Sequence, residues 1–423
     1  MIRTAVACAV LGLSASLSLG QSVFSDEAKP SKGPGARLAS ATLSPSGKPT
    51  LTNSAVHANR IGVGLWAAQS GAEAGTVFSP IGYAKAAEIA QRLDKKGPVE
   101  PAPLKVLCDF LALDGQADRM PQLQLATAFW SSVNPRIVDK AQAARLEKLL
   151  GVMARPLDLS NRGVAAGEVD SWVLQNTRDE VSQPGRLAGL PTTLVTDGVI
   201  FRAAWADRFD PAQTKPAPFT NADGTTVELP FMHRLANLPY LKNADVELTA
   251  VPFTAAVDDD SEPHYKLVVM MPLAGGDLTK LRATLSAERL QQWMKEATAS
   301  KEALAAWEAA SPESDNEAVR ERWVATYPVK AVTLALPRFV VRSPRAAMKG
   351  SDESGQVTFA QGCSLSINEA GAGHATSEGA MYDVGAIGQP VNFTANRPFL
   401  FTVVDEVTGT IILAGSYTGA TNP

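Results

Sequence analysis

The sequence predicts an α+β protein, because two different hydrophobic periods recur along one chain of 423 residues. Apolar residues repeat at helical spacing in residues 51–68, where Ile61 and Leu65 share one face. Period-two alternation, which is typical of a half-buried strand, marks residues 122–131 and 363–367. Hydrophobic residues make up 45% of the chain, which is enough for a large globular core.

The first residues are typical of a secretory signal peptide. Residues 1–3 supply a short positive region, 4–17 an apolar run and 18–20 a small-residue cleavage site. The apolar run is too short to cross a bilayer, and no other uninterrupted apolar run suggests a membrane span. We therefore expect residues 1–20 to be removed and the mature protein to be exported, either secreted into the extracellular space or held in the periplasm. Residues 21–50 are rich in Ser, Pro, Gly and Lys, which predicts a disordered linker.

Charge and composition argue against several classes of function. A formal net charge of -4 offers no basic field for nucleic acid or anionic lipid. The four histidines are scattered and no Cys/His cluster has metal-ligand spacing, so we expect no metal and no cofactor. Of the three cysteines, Cys8 lies in the predicted signal peptide. Cys108 and Cys363 could pair in an oxidising compartment, but nothing in the sequence brings them together.

Further elements follow in chain order. Residues 138–153 repeat apolar positions at helical spacing, which predicts a second helix. Val332, Leu334 and Leu336 alternate with other residues and predict a strand. Near the C-terminus, residues 405–409 predict a hairpin turn, with glycine where the turn needs positive φ.

The segment after residues 363–367 is unusual, because it is long, rich in glycine and alanine, and flanked by strands. Few residues between Asn368 and Ile387 could anchor a core, so such a segment would ordinarily be a surface loop. Residues 393–401 then lead into the C-terminal hairpin. A loop of small residues between two sheet strands is a candidate for forming a strand itself.

Several of these segments resemble the serpins. Residues 368–371 resemble the Asn-Glu-Glu-Gly hinge of that family, and residues 393–401 match its Phe-x-Ala-Asn/Asp-Arg/His-Pro-Phe-Leu-Phe signature in full. Residues 78–80 match the Phe-Ser-Pro junction between a strand and a helix. Residues 170–177 resemble the helix motif Asn-x-Trp-Val-x-x-x-Thr, and residues 201–205 resemble the Phe-Lys-Gly-x-Trp end of the central strand.

The resemblance covers nearly all of the mature chain and implies one serpin domain in residues 51–423. It implies about eight or nine helices around three β-sheets, with an exposed reactive-centre loop at residues 371–392. Two regions depart from the family. Residues 294–326 are longer than the usual connection and predict a helical insertion, whereas residues 342–355 are too short and too polar for the family's helix and linker.

The resemblance implies an inhibitor rather than an enzyme. A target protease would attack the loop as a substrate, and the cut loop would insert into the large sheet while the acyl-enzyme persists. We expect a monomer that inhibits serine proteases, with cysteine proteases as a second class. The alternative is a non-inhibitory serpin-fold binding or structural protein whose loop is cleaved as a substrate.

No motif of an enzyme is present. The sequence contains no nucleophile elbow, His-Glu-x-x-His pair, phosphate loop or dinucleotide fingerprint. Ser377, His374 and Asp383 are close in sequence, but neighbours on a flexible loop are not held in the geometry of a catalytic triad.

The family's spacing also indicates the reactive bond. Counting forward from Gly371 places the scissile residue at Gly385, whereas counting back from Phe393 places it at Val384. We therefore expect cleavage between Val384 and Gly385 or between Gly385 and Ala386. Small residues at this bond would suit an elastase-like protease with a small primary pocket.

Two groups of residues are expected to control insertion. The loop hinge comprises Glu369, Gly371, Ala372, Gly373, His374, Ala375 and Thr376. The sheet-opening region comprises Ser79, Asp197, Trp205 and Gln361. In that region Asp197, Gly82 and Gln361 stand where the family has asparagine, serine and histidine. The sequence leaves open whether Asp197 and Gln361 form a hydrogen bond or whether the sheet opens less readily.

The loop contains two residues that disfavour burial. Alternate residues of an inserted strand face the core, and from Ala372 onward this inward set includes His374, Thr376 and Glu378. Burying an unpaired polar group costs about 1–3 kcal/mol, and burying a charge costs more. We therefore expect His374 and Glu378 to slow insertion.

Overall fold

The computed structural model describes most of the chain after the predicted linker. The described residues are 47–67, 75–93, 103–115, 120–133, 138–178, 192–255, 261–299, 301–312, 316–324, 328–343, 350–351, 358–373 and 390–419. The predicted signal peptide, residues 21–46 of the predicted linker and loop residues 374–389 lie outside the described residues.

The described residues form nine α-helices and eighteen strands, in agreement with the α+β prediction. The helices are α1 (Gly47–Ala67), α2 (Pro80–Leu93), α3 (Pro103–Leu111), α4 (Lys140–Leu150), α5 (Arg162–Asn176), α6 (Leu278–Ala283), α7 (Ala287–Ala297), α8 (Lys301–Ala309) and α9 (Glu317–Val324). The strands are β1 (Val77–Phe78), β2 (Leu113–Asp114), β3 (Gln122–Ser132), β4 (Met153–Leu157), β5 (Thr193–Ala204), β6 (Lys215–Thr220), β7 (Thr226–Leu238), β8 (Tyr240–Lys242), β9 (Glu247–Pro252), β10 (Tyr265–Met271), β11 (Lys330–Pro337), β12 (Phe339–Ser343), β13 (Gly350–Ser351), β14 (Thr358–Ile367), β15 (Gly371–Ala372), β16 (Val391–Thr394), β17 (Phe399–Asp405) and β18 (Ile411–Tyr417).

The strands form three sheets. The large sheet has eight strands, in the order β12-β14-β15-β5-β3-β2, with β13 paired to β14 and β4 paired to β3. A six-stranded sheet has the order β1-β18-β17-β10-β9-β8, and a four-stranded sheet has the order β16-β11-β7-β6. Three sheets agree with the expectation from the family resemblance.

Two elements near the start differ in extent from the sequence prediction. Helix α1 confirms the predicted helix but begins at Gly47, inside the predicted linker of residues 21–50. Pro49 does not prevent this early start, because the first N–H groups of a helix have no partner within the helix. Helix α4 is shorter than the predicted 138–153, because Gly151 adopts φ 64 and ends it, and Met153 begins β4.

The main core joins all three sheets. Phe201 and Leu365 of the large sheet pack in one buried cluster with Leu267 and Phe401 of the six-stranded sheet and with Leu334 of the four-stranded sheet. This cluster lies against the inner face of the large sheet. Helix α5 covers the opposite face, in a separate cluster that contains Trp130 and Trp172, whose rings meet edge to face at 6.3 Å.

The described part of residues 294–326, where the sequence predicts a helical insertion, contains the end of α7 together with α8 and α9. Trp307 and Trp323 stack with their ring centroids 3.9 Å apart. Each indole nitrogen donates to the other residue's carbonyl oxygen, at 3.1 and 2.9 Å. These reciprocal bonds join α8 and α9. Elsewhere, Cys108 and Cys363 are both buried and free of a disulfide.

No helix in the described part of the chain is long and apolar enough to cross a membrane.

Helix α1 is fixed to the six-stranded sheet by one buried side chain. Asn59 donates to the Gly409 carbonyl at 2.7 Å and accepts from the Ile411 N–H at 2.9 Å. Replacing Asn59 with alanine would leave one buried backbone N–H and one partly buried carbonyl without this partner. We expect the variant to lose about 1–3 kcal/mol of unfolding free energy, measured by urea denaturation.

The neighbouring residue supplies a matched control. Arg60 forms an ion pair with Glu288 in which both side chains are largely exposed, at 64% and 56%. Replacing Arg60 with alanine should cost no more than about 1 kcal/mol. Equal losses in the two variants would contradict the role assigned to Asn59.

Candidate functional site

Two strands of the large sheet part at one end, and the start of the loop lies between them. Strands β5 and β14 pair in parallel through residues 194–198 and 358–362. Toward the other end of this junction, β15 pairs with β5 through Gly371 and Ala372. Ala372 also pairs with the end of β14. The first residues of the predicted loop are therefore already an inserted strand, two residues long.

A tight turn carries the chain from β14 into β15. Asn368 donates its N–H to the Gly371 carbonyl at 3.0 Å, and Gly371 donates back to the Asn368 carbonyl at 3.2 Å. Gly371 adopts φ 150, and a Cβ there would lie 2.0 Å from the Ala203 carbonyl oxygen. Only glycine therefore fits this close approach to β5. Gly373, with φ 70, donates to the Ser366 carbonyl at 2.8 Å and continues the pairing with β14.

Trp205 lies at the end of β5 and holds this turn in place. Its indole nitrogen donates to the Asn368 carbonyl at 2.8 Å, and its backbone N–H donates to the Ala370 carbonyl at 3.0 Å. The ring stacks on Phe253 with centroids 4.4 Å apart and is 1% exposed. Trp205 thus connects the hinge to the main core.

Glu369 anchors the hinge through its carboxylate. Oε1 accepts from Arg338 Nε at 2.7 Å and from the Thr214 hydroxyl at 2.5 Å. Desolvation acts to raise the pKa of Glu369, but the hydrogen bonds from Arg338 and Thr214 together outweigh it and lower the pKa. The carboxylate is therefore charged at neutral pH. It joins the turn before β15 to Arg338, which follows β11 of the four-stranded sheet, and to Thr214, which precedes β6.

Asp197 and Gln361 close the sheet where β5 and β14 are paired. The two residues are directly opposite in register, and Gln361 Nε2 donates to Asp197 Oδ2 at 3.0 Å. Gln361 also accepts from the Ser79 N–H at 2.7 Å and donates to the Ser79 carbonyl at 3.2 Å. The hydrogen bond that the sequence left open is therefore present. The two bonds between Gln361 and Ser79 join the start of α2 to the junction of β5 and β14.

Glycine at position 82 makes room for this contact. A Cβ on Gly82 would lie 2.1 Å from Asp197 Oδ2 and 2.4 Å from Gln361 Nε2. A serine, which the family resemblance would place here, could not be accommodated without moving the carboxylate or the amide. The three departures from the family at Gly82, Asp197 and Gln361 therefore belong to one local packing arrangement.

Sequence reasoning missed Lys85, which is 3% exposed beneath the same strands. Its ammonium donates to the Thr127 hydroxyl at 3.1 Å, and Thr127 donates to Asp197 Oδ1 at 2.5 Å. Burial raises the pKa of Asp197, and the positive charge of Lys85 offsets part of that shift. A signal was available in the sequence, because Ile81, Lys85 and Ile89 have the spacing of one helix face.

The predicted site residues divide into two groups. Those in or beside the hinge turn and the sheet-opening contact are Glu369, Gly371, Ala372, Gly373, Ser79, Asp197, Trp205 and Gln361. Those outside the described residues are His374, Ala375, Thr376, Val384, Gly385 and Ala386.

Comparisons with known sequences agree with this architecture. The family model described as serpin (serine protease inhibitor) matches residues 88–306 and 346–419. An uncharacterised serpin-like protein of Thermococcus kodakarensis is 24% identical over 298 residues, which cover 67% of this chain and 65% of that protein. Antithrombin-III of Mus musculus is 24% identical over 275 residues, covering 64% of this chain and 56% of that protein. The matched region is thus less than two thirds of the length of these relatives.

Solved structures show the same fold. Native protease nexin-1 with heparin has a TM-score of 0.64 and 16% identity, covering 88% of this chain and 100% of the other. The thermophilic serpin tengpin in its native state has a TM-score of 0.61 and 13% identity, covering 87% and 94%.

The hinge contact of Glu369 generates a pH prediction. A carboxylate whose pKa is lowered in the folded state contributes stability above its ordinary pKa, and this is lost as pH falls through the lowered value. We expect the hinge turn of the unaltered protein to open only at acid pH. In Glu369→Gln, which lacks the charge, it should open at neutral pH. Hydrogen exchange of the Trp205 and Gly373 amides, corrected for intrinsic rates, would measure this opening.

Glu228→Gln is the control, because Glu228 is exposed on β7, where it lies opposite Pro218 of β6. It should leave both amides as slow as in the unaltered protein. Exchange at the hinge that is unchanged in Glu369→Gln would show that the carboxylate does not hold the turn.

Proposed function

Because the chain belongs to the serpin family, we propose that it inhibits serine-type endopeptidases by inserting its own cleaved loop into the large sheet. The observation that carries this proposal is β15, a two-residue strand that already lies between β5 and β14. The loop thus begins at the junction that insertion would have to widen. An inhibitor of this kind is cut as a substrate and then traps the protease.

Side-chain burial decides whether insertion is favourable. The backbone of each inserted residue could bond to strands on both sides, and each such bond is worth about 0.5–1.5 kcal/mol net. Ordering that residue costs roughly 1–2 kcal/mol of backbone entropy, so these two contributions nearly cancel. The remaining stabilisation must come from inward side chains that reach the main core, as Ala372 already does.

Insertion must also break existing contacts. The parallel pairing of residues 194–198 with 358–362 has to separate, and the Gln361–Asp197 bond lies within it. This closed region is a barrier that the cut loop must pass before the protease deacylates. The rate at which β5 and β14 separate, rather than the affinity of the protease for the intact loop, then determines whether the protease is trapped.

The proposed target is an elastase-like serine protease, met by a monomer outside the cell. This rests on the small residues around Val384, Gly385 and Ala386 and on the predicted signal peptide at residues 1–20. Both features are sequence-based.

Incubation with purified proteases tests the proposal. We expect elastase to form a covalent complex that survives SDS, cut between Val384 and Ala386 and located by mass spectrometry. Chymotrypsin and trypsin should form less. Loop-cut protein should unfold at a higher temperature than intact protein, because the inserted strand adds contacts. Elastase lacking its catalytic serine is the control and should form no complex.

A different outcome would favour a binding or structural protein. Loop cleavage without any complex, and with no rise in the unfolding temperature, would show that the chain is a substrate rather than an inhibitor.

His374 provides a second prediction. Continuing the register of β15 would place an inserted residue 374 opposite Phe201 on β5 and Leu365 on β14, both in the main core. A polar side chain left unpaired there costs about 1–3 kcal/mol. His374→Ala should therefore raise the fraction of cut chains that end as complex, measured as a lower stoichiometry of inhibition.

The matched control is Ser377→Ala. The same register turns residue 377 to the opposite face, between Gly198 and Gly362. This variant should leave the stoichiometry unchanged. No difference between His374→Ala and the unaltered protein would remove burial at position 374 as a limit on inhibition.

A further inference from the structure

A cavity of about 260 Å³ lies where one end of the six-stranded sheet meets α6. Leu400 of β17 and Ser416 of β18 are directly opposite in register and line one side of it. Leu278 and Arg282 of α6 line another side. None of the residues that line this cavity belongs to the hinge or to the sheet-opening region, so it is a separate candidate site.

Arg397, just before β17, contributes a guanidinium that is fixed in place but not saturated. Its Nη2 donates to the Pro272 carbonyl at 2.9 Å, and its Nη1 donates to Asn396 Oδ1 at 3.4 Å. Its Nε is buried and finds no acceptor among the described residues. A planar guanidinium that is held by backbone and retains a donor is suited to bind a carboxylate.

A second guanidinium lines the same cavity. Arg282 is 8% exposed, whereas Asp277, the one carboxylate in the lining, is exposed and accepts from the Thr279 N–H at 2.7 Å. With Arg397, the lining therefore carries two positive charges and one negative charge. Water and salt screen an exposed charge more than a buried one, so the field inside the cavity is positive. One monoanion would balance the charge of the lining.

The rest of the lining limits what the anion can be. Pro272, Leu278, Pro398 and Leu400 give the cavity an apolar part beside the two guanidinium groups. Its volume of about 260 Å³ is below the roughly 300–1,000 Å³ of pockets that hold drug-sized ligands. A carboxylate attached to one small apolar group, such as a single ring, matches the charge, the apolar surface and the size together.

We propose that this cavity binds a small organic acid, with its carboxylate between Arg282 and Arg397 and its apolar group against Pro398 and Leu400. The bound acid would connect α6 to the start of β17 and would stabilise this end of the six-stranded sheet. Binding requires neither cleavage nor insertion of the loop. The inference therefore goes beyond the proposed function and stands or falls independently of it.

Titration of the full chain with benzoate and with benzamide, followed by calorimetry, tests the proposal. The two molecules have nearly the same shape, but only benzoate carries a charge at neutral pH. We expect benzoate to bind at one site per chain and to raise the unfolding temperature. Benzamide should bind at least about tenfold more weakly, because hydrogen bonds to a charged acceptor are the stronger ones.

Three variants locate the site. Arg282→Gln should weaken benzoate binding about tenfold or more. Its matched control is Lys280→Gln, which removes a positive charge from an exposed position on the same helix that does not line the cavity, and it should leave binding unchanged. Ala222→Phe places a ring in the cavity from an exposed position on its rim and should abolish binding with all charges retained. If Arg282→Gln does not fold, Ala222→Phe decides the question.

Binding of benzoate that is lost in Ala222→Phe and weakened in Arg282→Gln, but not in Lys280→Gln, supports the site. The inference is overturned if benzoate does not bind at millimolar concentration, or if benzamide binds equally well. Equal losses in Arg282→Gln and Lys280→Gln would also overturn it, because net charge and not the cavity would then attract the anion. Complex formation with elastase is measured separately, so none of these results bears on loop insertion.

Discussion

The backbone of β5 and of β14 can be satisfied either by each other or by a strand between them, and the rest of the structure depends on this choice. The two strands bond directly through residues 194–198 and 358–362. At the other end of the junction both bond to Ala372 instead. The large sheet therefore contains both the direct pairing of β5 with β14 and the pairing of each strand with β15. Moving the boundary between these two pairings toward Asp197 is the conformational change that loop insertion requires.

The proposed exchange would add backbone hydrogen bonds, but it would be costly at two places. One parallel pairing is replaced by two antiparallel pairings, and antiparallel pairs are slightly more stable per residue. Against this stand the Gln361–Asp197 bond, which must break, and the polar loop residues, which must be buried. The hinge end is held differently, by Trp205, by Glu369 and by the close approach of Gly371 to β5. These contacts fix the first residues of the loop beside β5, so that the proposed insertion would extend an existing strand and would not have to start a new one.

Local sequence patterns were sufficient to predict several of the helices and strands, but the contacts between residues distant in sequence could not be predicted. Period-two alternation located β3 and the end of β14. Buried and partly buried residues do alternate at the end of β14, whereas both faces of β3 are buried from Thr127 to Ser132. The helix predicted at 138–153 was too long, since apolar spacing continues past Gly151, where the backbone turns left-handed. The partners of Glu369 could not be predicted, because Arg338 and Thr214 are distant in sequence. Lys85 was missed, since a lysine in a helix is ordinarily solvated and only the flanking isoleucines indicate otherwise.

Residues that depart from a family's pattern are best judged against the residues they contact. Taken singly, Gly82 loses a hydroxyl and Asp197 adds a buried charge. Taken together, the glycine supplies space, and the aspartate and Lys85 make that space polar. The face of the sheet beneath the closed junction is therefore polar at Asp197 and Lys85, whereas it is apolar beneath Phe201 and Leu365. Whether a loop suits insertion is therefore a property of the loop and the sheet as a pair, and the composition of the loop alone does not determine it.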